Sequence, residues 1–259
     1  MSNYIVIPAR LKSERLPSKL LMSDTGHPLI WHTVQNAKQS RLAKSIIVAT
    51  DSESIKDAVK DEVEVVMTGD CTSGTQRIAE ACTKLKLQGT IVNIQGDEPV
   101  VDMDCVDELF EALDLCTTKK LERRWDVATL ATPASYTEYN DPNVVKVVTG
   151  NCENAIYFSR SPIPYGGSDN SLKHIGVYAY NSAFLYKMWM MDVPTNASEN
   201  LEQLQWIENG KNIRVLVREM TGTGIDTQVE YDMFVSDYLG VDLPTSERFK
   251  VSYDWRNGG

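Results

Sequence analysis

Histidine and closely spaced cysteine pairs are scarce in this chain of 259 residues. Zinc sites need clustered cysteine and histidine ligands, and disulfide frameworks need an even, regularly spaced set of cysteines. The number of cysteines is odd, and no two of them form a C-x-x-C pair. We therefore expect neither kind of site, and reduced thiols suit an intracellular protein. The residues concerned are His27, His32, His174, Cys71, Cys82, Cys105, Cys116 and Cys152.

Long apolar runs are also absent. A membrane-spanning helix needs roughly 18 consecutive apolar residues, which the sequence nowhere contains. The opening residues, MSNYIVIPARLKSERL, reach charged side chains after a short apolar stretch and lack the core of a signal peptide. The formal net charge is −10, which repels nucleic-acid backbones. We expect a soluble cytoplasmic protein that has neither a membrane nor a nucleic acid as partner.

What the chain does contain, in its first half, is an alternation of short apolar strands and amphipathic helices. This pattern predicts an α/β fold with a mostly parallel, Rossmann-like sheet covered on both faces. The second half is richer in strands and predicts a smaller strand-rich lobe. The expected strands are 4–8, 45–50, 63–68, 90–94, 127–132, 144–149, 155–159, 175–180 and 213–217. The expected helices are 28–41, 52–60, 75–86, one around 106–113, 182–190, 198–208 and 227–239.

Unusual polar residues follow the ends of these strands, where open α/β sheets bind their ligands. Arg10, Arg15 and Lys19 come directly after the first strand, and three cations so close together suit a polyphosphate. The segment lacks the glycines of a Walker A or GxGxxG loop, so phosphate binding would depend on side chains. The alternative is a solvated basic loop.

Two further segments carry candidate charges at the same edge. Thr75 is predicted to cap a helix that has Arg77 in its first turn. A cation is unfavourable there unless an anion lies nearby. The alternative is that Arg77 is simply exposed to solvent. Asp97 and Glu98 follow the fourth strand and suit Mg²⁺, which takes one or two carboxylates plus substrate phosphates. Their alternative is an acidic turn. From the residues alone, Asp226 or the next threonine simply caps the last helix.

Taken together, eight segments in order resemble the CMP-KDO synthetases, the 3-deoxy-manno-octulosonate cytidylyltransferase family. They are IPARLKSERLPSK, SGTQRIAEA, VNIQGDEPV, DPNVVKVV, AIYFSRSPIPY, HIGVYAY, LEQLQWIENG and GIDT, and they span most of the chain, from about residue 3 to about residue 232. The resemblance implies the fold of nucleotide-diphospho-sugar transferases. It also implies a Mg²⁺-dependent homodimer that joins CTP to KDO, an eight-carbon sugar acid, releasing pyrophosphate for lipopolysaccharide or other surface-glycan synthesis.

The resemblance assigns residues to roles and replaces the capping interpretation of Asp226. Asp97 and Asp226 would bind the metal and, with Arg10 and Lys19, form the catalytic set. The nucleotide would contact Pro8, Ala9, Arg10, Arg15, Lys19, Ser73, Arg77 and Gln95. The sugar would contact Arg160, His174, Tyr178, Glu202 and Gln203. A single domain is expected over 1–240, with a nucleotide-binding half (1–125), a sugar-binding and dimerisation lobe (126–220), a return to the main sheet (221–240) and a polar tail (241–259).

Five positions depart from the family pattern, namely Ser18 for Gly, Leu20 for Pro, Gln76 for an acidic residue, Gln205 for Arg and Gln228 for Pro. These departures do not change the expected reaction class, but they leave amino-KDO as an alternative sugar substrate. A cytidylyltransferase for a nine-carbon sialic-type acid is a rival that the HIGVYAY and LEQL segments disfavour. A dinucleotide-dependent oxidoreductase is disfavoured by the missing GxGxxG turn. A non-catalytic nucleotide-binding module is disfavoured as well, because such a module would not require Asp226.

Overall fold

A computed structural model describes residues 2–13, 15–118, 125–190, 199–220 and 224–241. The strands are β1 (Ser2–Ala9), β2 (Ser45–Thr50), β3 (Glu64–Met67), β4 (Gly89–Asn93), β5 (Val127–Pro133), β6 (Lys146–Thr149), β7 (Ala155–Ser159), β8 (Leu172–Asn181) and β9 (Ile213–Val217). The helices are α1 (Leu29–Ala37), α2 (Glu53–Val59), α3 (Gly74–Leu85), α4 (Met103–Thr118), α5 (Tyr136–Asn140), α6 (Ser182–Met190), α7 (Glu202–Glu208) and α8 (Gln228–Leu239). No helix within these ranges is long and apolar enough to cross a bilayer.

The strands form one nine-stranded sheet in the order β3-β2-β1-β4-β8-β5-β9, which confirms the predicted α/β fold. Strands β1 to β4 pair in parallel, and β8 runs antiparallel between β4 and β5. The second half therefore extends the same sheet. Only the β6–β7 ladder lies off this path, with β6 also pairing with the start of β8. The predicted domain boundaries remain a prediction.

Helices cover both faces of the sheet because its strands are apolar on both sides. In β1, Ile5, Val6 and Ile7 are fully buried. Successive side chains of a strand point to opposite faces. Ile5 and Ile7 accordingly belong to one core cluster and Val6 to a second. The first cluster takes residues from α1 and α4, and the second takes residues from α3, such as Ile78. This double burial explains the continuous apolar runs in the sequence.

Two helices begin or end differently from the prediction. Helix α1 ends at Ala37 and not at residue 41, because the following turn binds another helix. There the Ser40 hydroxyl and the Arg41 backbone N–H donate to the carboxylate of Asp107 in α4, at 2.5 and 2.9 Å. Helix α7 begins only at Glu202, and residues 191–198 lie outside the described ranges.

One helix was missed and one cap was assigned wrongly. The single turn of α5 is too short for an apolar period, and a capping box between Ser135 and Glu138 stabilises it. Helix α3 is capped by Ser73, whose side chain accepts from the Gln76 backbone N–H, so the predicted cap at Thr75 is wrong. The expected polar tail over 241–259 lies outside the described residues except for Val241.

Candidate functional site

Lys19 is the central cation of the segment that follows β1. It is buried and begins a short 3-10 turn, Lys19–Leu21. Its ammonium group donates to the carbonyl oxygen of Ile225 and to Oδ1 of Asp226, each at 2.8 Å, and it contacts Oδ2 of Asp97. Burial opposes the charge on Lys19, but the two carboxylates outweigh it, and the pKa of Lys19 is raised. A solvated basic loop is therefore not what the chain forms at this position.

The residue before Lys19 has a strained backbone. Ser18 lies in the left-handed region at φ 54°, and its side chain makes no capping hydrogen bond. This conformation costs residues with a Cβ atom about 1–2 kcal/mol, whereas glycine adopts it freely. The geometry thus gives a physical reason for the glycine that the related family normally has here.

Replacing Ser18 by Gly is expected to stabilise the protein by about 0.5–1 kcal/mol, because the relieved strain exceeds the extra entropy that glycine loses on folding. The urea midpoint of unfolding should rise. The matched control is Ser23→Gly, because Ser23 is equally exposed but has no positive φ. That control should be neutral or destabilising. A lower midpoint for Ser18→Gly would contradict the strain argument.

The loop after β4 places Asp97 beside Lys19. A Cβ at Gly96 would come within 3.1 Å of the Ile30 side chain, so the loop packs tightly against α1. Thr33 of α1 donates its hydroxyl to the carbonyl of Gly96 at 2.8 Å. The backbone N–H of Ile225 donates to the carbonyl of Asp97 at 2.9 Å. Tertiary contacts from two directions therefore hold Asp97 in place.

Asp226 precedes the last helix without capping it. Thr227 is the N-cap of α8 and forms a capping box with Glu230. The carboxylate of Asp226 is left for other partners, and it binds Lys19 and Nη2 of Arg15, at 2.8 Å in each case. The prediction that Asp226 or the next residue caps this helix is therefore confirmed for Thr227 and wrong for Asp226, and Asp97 and Asp226 meet around one ammonium group.

A first cavity of about 440 Å³ opens beside this cluster. Neither Arg10 nor Lys12 forms an ion pair with the described part of the chain, and both line the cavity. These cations offer sites to an anion in a chain that is acidic overall. The lining residues are Pro8, Arg10, Lys12, Ser13, Arg15, Lys19, Leu20, Gln95, Gly96, Asp97, Glu98, Gly224 and Asp226.

Three residues predicted to bind the nucleotide are absent from the described lining of this cavity. Ala9 is buried at the end of β1. Arg77 is also buried, and its guanidinium donates to Asp51 Oδ2 at 2.7 Å and to the hydroxyl of Thr68. The anion that Arg77 needs in a first helical turn is thus Asp51 of the same chain. Ser73 caps α3. Their roles toward a nucleotide remain predictions.

A second cavity, of about 730 Å³, contains all five residues predicted to contact a sugar. Gly224 and Asp226 line both cavities, so Asp226 stands where the two meet. The tertiary structure brings α5, the segment before β6, the residue that follows β7, β8, α7 and the start of α8 together at this place. The predicted residues in the lining are Arg160, His174, Tyr178, Glu202 and Gln203.

His174 is a hydrogen-bonding residue of this cavity and not a proton carrier. Its Nε2 lies 3.0 Å from the hydroxyl of Thr129, and burial lowers the pKa of His174 to about 3. A base with so low a pKa does not take up a proton near neutral pH. Nearby, the amide of Gln203 donates to the hydroxyl of Tyr178, whose pKa burial raises. These side chains shape the wall as neutral groups.

Glu202 joins the second cavity to helix α3. Its two carboxylate oxygens accept hydrogen bonds from the hydroxyls of Ser73 and Thr75, at 3.0 and 2.8 Å. Burial raises the pKa of Glu202, and the two hydrogen bonds offset part of this shift. The ionised form is therefore less favourable in the folded chain than in the unfolded chain.

The stability of the wild-type protein should consequently fall as pH rises from the unfolded pKa of Glu202 to its raised folded pKa. Residue 202 cannot titrate in Glu202→Gln. The melting temperature of the variant minus that of the wild type should therefore be higher at about pH 8 than at about pH 4. Scanning calorimetry at both pH values measures this difference. A relative stability that does not change, or that changes in the opposite direction, would refute the assignment.

Several residues of the second cavity escaped the sequence analysis. Glu138 and Lys173 form an ion pair at 2.5 Å in its wall. Glu199 accepts from the backbone N–H of Arg160 at 2.6 Å. Lys146 lies beneath the wall, and its single charge within the apolar run of DPNVVKVV was the one available signal. The others come together only through the fold.

The donor set around Lys19 fits a magnesium ion only in part. The described ranges contain no group of three or more His, Cys, Asp or Glu side chains arranged for a metal. Asp97 and Asp226 nevertheless supply hard oxygen atoms around a cationic group. Two carboxylates suffice for Mg²⁺ when substrate phosphates complete the coordination. The arrangement therefore fits a metal that arrives with a polyphosphate.

Comparison with known proteins adds to these observations. A family model described as cytidylyltransferase matches residues 4–220. The 3-deoxy-manno-octulosonate cytidylyltransferase of Syntrophobacter fumaroxidans is 40% identical over 241 residues, which cover 89% of this chain and 94% of that protein. The enzyme of the same name from Neisseria meningitidis serogroup C is 38% identical over 252 residues, 90% of this chain and 96% of that one. A solved structure of CMP:2-keto-3-deoxy-manno-octonic acid synthetase complexed with CTP superimposes with a TM-score of 0.84 at 34% identity, covering 93% of this chain and 99% of the other.

Proposed function

The chain belongs to the cytidylyltransferase family, within the group named 3-deoxy-manno-octulosonate cytidylyltransferases, and we propose that it transfers CMP from CTP to KDO and releases pyrophosphate. The observation that carries the proposal is the position of Asp226 between two cavities. One cavity carries Arg10 and Lys12, which form no ion pair within the described ranges and suit a triphosphate. The other carries Arg160, whose planar fork suits the carboxylate of a sugar acid.

In the proposed reaction, the anomeric hydroxyl of KDO attacks the α-phosphorus of CTP and pyrophosphate leaves in line. Such transfers depend on positioning and charge stabilisation more than on covalent help from the protein. Arg10 and Lys19 would offset charge on the triphosphate, and Arg160 would hold the sugar acid by its carboxylate. No separate general base is assigned, because the pKa of His174 is too low for that role.

We propose that Asp97 and Asp226 hold Mg²⁺ together with phosphate oxygens of the nucleotide. The ion would supply charge neutralisation and lower the pKa of the attacking hydroxyl. Lys19 already binds both carboxylates, so the ammonium group has to share them with the metal or move toward the phosphates. Each carboxylate keeps one oxygen that Lys19 does not bind, namely Oδ1 of Asp97 and Oδ2 of Asp226, and the latter also binds the exposed Arg15.

KDO is favoured over amino-KDO as the sugar. Of the departures from the family pattern, Gln76, Gln205 and Gln228 are absent from the described linings of both cavities. Gln76 accepts from the backbone N–H and hydroxyl of Thr72, and Gln228 donates to Asp232 one helical turn further on. Substitutions in these positions therefore give no reason to assign a different sugar.

The test is pyrophosphate release from the purified protein with Mg²⁺, CTP and KDO. Amino-KDO and a nine-carbon sialic acid are the competing sugars, UTP is the competing nucleotide, and EDTA tests the metal. Release that requires CTP, KDO and Mg²⁺ together would support the whole proposal. Release with amino-KDO alone would keep the mechanism and change the substrate. The absence of release with every pair would overturn the proposed activity.

We further propose that the protein acts as a cytoplasmic homodimer in surface-glycan synthesis such as that of lipopolysaccharide. The β6–β7 ladder supports the dimer, because Ile156 and Tyr157 are both exposed although neighbouring strand residues point to opposite faces. Exposed apolar side chains on an edge strand are typical of an interface. Light scattering of the wild type and of Ile156→Asp would test it, and a monomeric wild type would contradict it.

A further inference from the structure

Lys146 is a fully buried lysine that binds no carboxylate. It is the first residue of β6, and none of the ion pairs in the described part of the chain includes it. Its ammonium group donates to three backbone carbonyls, those of Asp141 at 2.8 Å, Val144 at 2.6 Å and Arg160 at 2.6 Å. The three hydrogens of the ammonium group match these three acceptors. The buried charge of Lys146 is therefore satisfied by backbone carbonyls of the chain and not by an ion pair.

The three carbonyls belong to two separate segments that form one wall of the second cavity. Asp141 and Val144 precede β6, whereas Arg160 follows β7, and all three line the cavity. The antiparallel register places Lys146 opposite Ser159, next to Arg160. The ammonium group therefore connects the loop 141–144 to the backbone that carries Arg160.

The same loop also holds the side chain of Arg160. Nη1 of Arg160 donates to the carbonyls of Pro142 and Asn143, at 3.2 and 3.3 Å. Its backbone N–H donates to Glu199 at 2.6 Å. Lys146 thus fixes the Arg160 backbone directly, and it fixes the loop whose carbonyls orient the guanidinium. An exposed arginine would otherwise lose considerable side-chain entropy on binding a ligand.

We propose that Lys146 is a positioning residue that pre-orients Arg160 for the carboxylate of the sugar acid. This inference rests on the proposed function, which supplies that carboxylate. Bidentate recognition of a carboxylate by arginine depends on the direction of its planar fork. If Lys146 only stabilised the fold, the effect of its substitution on sugar binding would not depend on whether Arg160 is present. The distinguishing property is therefore coupling between the two residues in sugar binding.

A double-mutant cycle measures this coupling. The wild type, Lys146→Met, Arg160→Gln and the double variant are compared for KM of KDO, KM of CTP and melting temperature. Lys146→Met should raise KM for KDO by about tenfold or more, because small misplacements of a binding group are costly. KM for CTP should stay unchanged. In the Arg160→Gln background, the same lysine substitution should have no further effect on KM for KDO. Lys84→Met, which removes the ion pair of half-exposed Lys84 with Glu80, away from the described lining of both cavities, is the matched control.

Three outcomes overturn the inference. Equal effects of Lys146→Met with and without Arg160 would show a structural role alone, as would an equal rise in both KM values. If Lys146→Met does not fold, Lys146→Gln, which keeps an amide donor, takes its place in the same cycle. If the wild type turns over no KDO, the proposed function has failed, and the cycle is read by calorimetry with KDO as the probe. Absence of KDO binding there would overturn the inference as well.

Discussion

Replacing Asp97 by Asn should lower kcat by about a thousandfold while leaving the fold intact, since losing one preorganised charge-stabilising group costs about 10²–10³. The amide has the same shape as the carboxylate, but it carries no charge. It also replaces one hard oxygen with a donor that cannot ligate Mg²⁺. Pyrophosphate release with saturating CTP and KDO measures the loss. The melting curve should remain cooperative, because Lys19 keeps its hydrogen bonds to Asp226 and Ile225.

Asp104→Asn is the matched control for this variant. Asp104 is a carboxylate of α4 that pairs with exposed Arg41 and is absent from the described lining of both cavities. It should retain full activity. Near-normal turnover of Asp97→Asn in the presence of Mg²⁺ would contradict the metal role of Asp97. A loss of activity accompanied by a loss of folding would leave the Asp97 carboxylate with a structural role instead.

Lys19→Met should have the second large effect, on both nucleotide use and stability. Asp97 and Asp226 would then lose the ammonium group between them, with only the exposed Arg15 left on Asp226, and a hydrogen-bonded charge of this kind contributes about 1.5–3 kcal/mol. We expect a melting temperature several degrees lower, and kcat/KM for CTP about a hundredfold lower, because the ammonium group is proposed to offset charge on the triphosphate as well.

A divalent ion distinguishes this explanation from simple destabilisation. If Mg²⁺ binds the two carboxylates as proposed, Lys19 competes with it in the wild type, and the variant removes that competition. Mg²⁺ without nucleotide should therefore raise the melting temperature of Lys19→Met more than that of the wild type. Lys38→Met, which removes a surface pair with Glu62, should respond to Mg²⁺ as the wild type does. An equal Mg²⁺ response in Lys19→Met and wild type would show that the metal does not use these carboxylates.

Local sequence patterns predicted most of the strands and helices. Strand β2, strand β7, strand β9 and helix α6 have the predicted bounds, because short apolar runs and helical periods are local properties. The errors occurred where a distant contact decides a local feature. Helix α1 stops early because its end binds Asp107, and the cap of α3 is Ser73 while Thr75 binds Glu202 from the far end of the chain.

The sequence by itself determined that this chain forms an α/β sheet and that charged loops follow its parallel strands at one edge. Of the residues that the eight family segments assigned, five of the eight nucleotide residues line the first cavity and all five sugar residues line the second. Only the tertiary structure decided what those charges contact. Lys19 lies between two carboxylates that only the fold brings to it, since Asp226 is 207 residues away along the chain, and Arg77 donates to Asp51. Such contacts depend on how distant segments of the chain pack together, and no local pattern of residues contains that information.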